Sequence, residues 1–129
     1  MREKPDAASL LACAERSLRQ ELLPILGGSQ RQVALMIARA MGIAIRQLHN
    51  GQVPEQQELV EINQLLLGMA PHLAISADVV QANSQLAQWI RTGGCDEGEA
   101  RNDCHRLLRE MTRRRLAESD PKALAVGAL

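Results

Sequence analysis

Residues 34–48 read ALMIARAMGIAIRQL, and this stretch decides the fold. It lies in a helical segment predicted from about Ser29 to Asn50. The apolar positions there are Val33–Ala38, Ala40, Met41, Ile43–Ile45 and Leu48. Only Gln32, Arg39 and Arg46, spaced by seven residues, form a polar stripe. A helix that is apolar over most of its circumference is either the centre of its domain or part of an interface. Ala34–Leu48 is therefore expected to be the central helix of a bundle. Gly42, in the middle of it, costs ~1 kcal/mol against Ala unless something packs close to its backbone. Gly51 is placed to end it as a left-handed terminator.

Outward from this helix, four more segments follow from period and punctuation. The first runs from about Ala7 to Leu23, with Asp6 as cap, Pro24 beyond its end and Gly27-Gly28 making the turn. Leu11, Ala14, Leu18 and Leu22 share one of its faces. The third follows Pro54, a residue suited to the first turn of a helix, and carries Leu59, Ile62 and Leu66 before Gly68. The fourth spans about Ser76 to Thr92, with Val79, Ala82, Leu86 and Ile90 on one stripe, and Gly93-Gly94 stops it. The fifth opens at Asp96 with Glu99 three residues later, a capping-box pattern, and must end at Asp120-Pro121. Residues 122–129 read as a loose tail.

Composition agrees with an all-α chain. Leu and Ala supply 37 of the 129 residues, while Val and Ile supply only 13. Ala and Leu lose little entropy in a helix, whereas β-branched and aromatic side chains suit pleated sheet. Trp89 is the sole aromatic residue, which removes the stacking platforms common in nucleotide and single-stranded nucleic acid sites. The expected architecture is a single-domain, all-α helical bundle of about five helices spanning residues 1–129. That length suffices to bury a core without a metal or disulfide staple.

Charge excludes further classes. Fifteen basic residues balance fifteen acidic ones, so no net field draws the chain to nucleic acid or anionic lipid. No apolar run is long enough to span a bilayer, and the early Glu3 and Asp6 do not suit a signal peptide. A soluble cytoplasmic protein is expected. Cys13, Cys95 and Cys104 do not read as a disulfide framework. Residues 31–50 hold Arg31, Arg39 and Arg46 without an acid, and residues 51–75 hold Glu55, Glu58 and Glu61 without a base. As neighbouring antiparallel helices the two would attract, at ~0–1 kcal/mol per exposed pair.

Candidate chemistry is sparse. Cys95, Cys104 and His105 form the one metal-like group, but the adjacent Cys104 and His105 point apart on a helix and no fourth ligand is evident. No Glu has a His three residues later, which closes di-iron bundle chemistry. Nothing brings a cysteine and a histidine together for nucleophilic catalysis. The glycine pairs read as turns rather than phosphate-cradling loops. Arg106, Arg109 and Arg113 share a helix face that could meet phosphates, but interspersed acids make it read as a solvated face. No catalytic residue, metal site or cofactor is expected. Arg39 and Arg46 stand out, because a cation on a central helix needs a carboxylate or another anion. Glu58 or Glu61 is the expected partner of Arg39.

Three stretches resemble a known family: ALMIARAMGIAIRQL at Ala34–Leu48, QLAQWIRTGG at Gln85–Gly94 and LLREMTRRRLAESDPKAL at Leu107–Leu124. With KPDAASLLACAERSLRQELLPIL at the N-terminal end, nearly the whole chain is similar to a family of small, uncharacterised, all-helical bacterial domains. Its members are often encoded beside aminoglycoside-phosphotransferase-like kinases and acyl-CoA dehydrogenases. The resemblance implies a setting in acyl-CoA or phosphotransfer metabolism and no established activity. The chain departs from the family pattern at Arg39, where a small polar Asn is expected, and at Ala123, where an aromatic is expected.

The expected function is that of a non-enzymatic interaction or accessory protein, either a homo-oligomer or the partner of a neighbouring metabolic enzyme. The alternative is a binder of an apolar acyl-type small molecule, with Met36, Met41 and Met69 as walls and Arg39 or Arg46 on its acid group. Arg39, Arg46, Met36 and Met41 are the candidate binding residues in either case. An enzyme of unrecognised type is the remaining reading.

Overall fold

The structure is a computed structural model that describes residues 4–127. The described residues are all-α, with no strand among them. They form α1 (Ala7–Ser17), a π-helical continuation over Leu18–Leu22, α2 (Gly28–Asn50), α3 (Val53–Met69), α4 (Val79–Arg91), α5 (Gly98–Ser119) and α6 (Pro121–Ala125). None of these helices is long and apolar enough to cross a membrane. The helices divide into two compact units.

The first unit comprises the chain up to Gly51 together with Glu118–Asp120. Asp6 opens α1 by accepting a hydrogen bond from the Ser9 amide at 2.9 Å, as its position before an apolar run predicts. The turn after the π segment is fixed by Arg31, whose guanidinium donates to the Leu23 carbonyl at 2.6 Å. It returns α2 alongside α1, and Gly51 ends α2 at φ +59°. The hydrogen bond from the Ser9 amide holds the Asp6 carboxyl below its usual value. Among the described residues of this unit, only Ala8, Leu23, Ala34 and Ala38 are buried.

The second unit comprises residues 52–117 and the residues from Pro121 onward. Its core joins Ile62, Leu66 and Ala70 to Ala82, Leu86 and Trp89 of α4 and Cys104 and Met111 of α5. These positions recur at three, four and seven residues, the helical signature of one covered face. Ile62 and Ala82 are fully shielded from solvent. Trp89 closes one end of this core against Gly94, where an added Cβ would stand 2.1 Å from the indole nitrogen.

Several expectations shift. The large core belongs to α3, α4 and α5 rather than to Ala34–Leu48. That stretch is apolar nearly all round, but only its narrow Ala34 and Ala38 strip is buried. The fourth helix starts at Val79, not near Ser76, because Asn63 captures Ser76 and Asp78 supplies the cap through the Gln81 amide at 2.8 Å. The fifth starts at Gly98, so Asp96 lies in the preceding turn, its amide donating to the Gly93 carbonyl. Within residues 122–129, expected to be loose, α6 runs to Ala125, since Pro121 both ends α5 and suits the first turn of a new helix. Ala128 and Leu129 lie outside the described residues.

Candidate interaction surface

The two cations singled out on α2 serve its structure. Arg46 is half-buried and donates through Nε to the main-chain carbonyl of Glu118, one of the carbonyls that a helix end leaves without a partner. Asn50, one turn on, donates to the Glu118 carboxylate at 2.8 Å. Arg39 reaches Asp120 at 3.4 Å, with 65% of its side chain exposed. Neither acid expected to hold Arg39 does so. Arg115 holds Glu58 at 2.9 Å, and Arg114 holds both oxygens of Glu61 at 2.7 and 2.8 Å. Nothing here demands the glycine at Gly42: an added Cβ would meet the flexible ends of Arg46 and Glu15 at ordinary contact distances.

The opposite flank of α2 is bare. Met36 is 71% exposed, Val33 55%, Leu48 50% and Ile37 46%. At about 100° per residue these four fall in one third of the helix circumference, with Ala40, half-buried Ala44 and the uncharged Gln47 between them. Arg39 and Arg46 lie on the other side of the Ala34 and Ala38 strip. Met41 is half-buried. The methionines thus do not gather into one wall: Met69 packs against the second unit's core, whereas Met36 points to solvent.

Elsewhere several charged side chains pair with one another. A concavity of about 490 Å³ between α3 and α5 is lined by Glu61, Asp103, Arg106 and Glu110 around Leu65 and Leu107. Asp103 pairs with Arg106 at 2.8 Å, and Glu110 joins Glu61 on Arg114. Hydrogen bonding to Glu61, more than any other cause, pushes the Arg114 pKa up. Arg101, His105, Arg106, Arg109 and Arg113 line a shallow surface along α5, so the face expected for Arg106, Arg109 and Arg113 does form.

Cys95 and Cys104 come together at the second unit's core, while His105 turns outward. Among the described residues no three His, Cys, Asp or Glu side chains could hold a metal ion. Burial, and then the hydrogen-bonded Cys104 thiol, push the Cys95 thiol up to about 12. Sequence reasoning missed the polar clamp around Ser76. Asn63 bonds both main-chain groups of Ser76, and the Ser76 hydroxyl donates to Gln85 at 2.9 Å. Only the break in apolar period before Val79 could have signalled it.

Fold and surface together define a small all-helical protein whose longest helix carries large apolar side chains in the open. The chain belongs to the family described as Domain of unknown function (DUF6285), whose model matches residues 24–123. The matched residues take in α2 to α5 and leave α1 outside. Neither a curated protein nor a solved structure matches the chain.

Proposed function

We propose that this chain is a non-enzymatic interaction protein that docks another protein surface on the bare flank of α2. The observation that carries the reading is the exposure of Val33, Met36, Ile37 and Leu48 on a unit whose described residues include only four buried apolar side chains. Contiguous apolar surface of this kind marks a contact site on a soluble protein. The acyl-ligand reading finds less support, because Met36 faces solvent and Arg46 is committed to the Glu118 carbonyl.

Native mass spectrometry of the untagged protein from its own cells tests the reading. A species heavier than one chain is expected, and Met36→Glu should abolish it while circular dichroism stays helical. A complex that survives Met36→Glu and Ile37→Glu, or a bare single chain, would overturn it. Arg46→Glu, the obvious probe from the sequence alone, is unsuitable because it would break the clamp on Glu118.

A further inference from the structure

We infer that the surface covering α2 is a second copy of the same chain, packed antiparallel through the first unit into a four-helix bundle; this rests on the docking role proposed above. Three observations carry it. First, the bare flank continues from one helix of the pair to the other. With Glu15 of α1 turned to Gly42 of α2, helical geometry turns Leu10 and Ala14 of α1 to the same side as the α2 stripe, and Leu10 is 57% exposed. The charges of the pair, Arg19 with Glu15 and Arg46 with Glu118, follow the other side. Two helices with one apolar flank are half of a four-helix bundle.

Second, the stripe is self-complementary. A two-fold axis between Ala40 and Met41 sets Val33 against Leu48 of the second copy and Ile37 against its Ala44. Large side chains then meet small ones near the axis, and the stripe closes at both ends. A two-fold interface requires such pairing of a surface with itself. Third, both helices contribute large exposed side chains. Leu10, Val33, Met36, Ile37 and Leu48 are each about half exposed or more, and together they make a patch of the kind that monomers seldom leave bare. A specific interface needs roughly 800 Å² per partner, so both helices and not α2 alone must take part. The α2 stripe itself carries no charged residue that would select a different, charged partner.

The test is the mass of the full-length protein in solution, by light scattering after gel filtration, from low to tens of micromolar. Two chains per particle are expected. Val33→Glu should return one chain per particle, and adding Leu48→Lys to it should restore two, because each new carboxylate would face a new ammonium across the axis. A single chain at every concentration overturns the inference. So does a dimer that Val33→Glu leaves intact. A single chain here, combined with a mixed complex from cells that Met36→Glu abolishes, would overturn the second copy and leave the docking surface standing. Bare single chains in both experiments would overturn both.

Discussion

A methyl group on Gly94 would stand 2.1 Å from the indole nitrogen of Trp89, so no side chain fits there without moving the ring. Gly94→Ala should therefore destabilise the protein by about 1–3 kcal/mol, the usual cost of overpacking, in urea unfolding followed by circular dichroism. Gly42 should behave in the opposite way. Its added Cβ would meet Arg46 at 3.4 Å and Glu15 at 3.6 Å, ordinary contact distances, so Gly42→Ala should gain up to about 1 kcal/mol of helix propensity. The thiols differ as sharply. Cys95 is pushed up from 9.0 to about 12, so its proton is lost more readily from the unfolded chain than from the folded one. Its contribution to stability is complete below pH 9 and is lost as pH rises toward 12. Cys95→Ser should flatten that alkaline decline, and iodoacetamide should modify exposed Cys13 before Cys95 or buried Cys104.

Helix ends are where local sequence speaks most directly. Asp6, Gly51 and Pro54 were legible because a cap or breaker acts on backbone within four residues of itself. The start of α4 was not, since it depends on Asn63 reaching Ser76 from thirteen residues away. Arg39 and Arg46 were legible as cations needing partners. Their partners were not, because the C-terminal end of α5 is more than seventy residues distant in the chain. An apolar circumference likewise identifies α2 as unusual without saying which side is covered. Two substitutions test these ends. Asp78→Ala should cost about 1 kcal/mol through loss of the α4 cap. Arg46→Met, which keeps the apolar stem but not the donor, should cost about 1–2 kcal/mol. Its signature is faster amide exchange in the last turn of α5.

At the scale of the molecule, the two units differ in what holds them. The second has a contiguous core of eight buried residues, whereas the first buries little beyond alanines. Apolar burial stabilises by about 25 cal/mol per Å², so the first unit gains least from its own packing and most from any surface laid against it. Mean hydropathy and balanced charge, which are properties of the whole chain, cannot express that asymmetry. Light does. Trp89, the chain's one Trp, Tyr or Phe side chain, belongs to the second unit, which leaves the first dark in near-ultraviolet absorbance and in intrinsic emission. A melting curve recorded by fluorescence is thus a record of half the protein, and the half proposed to bind would unfold or assemble unseen.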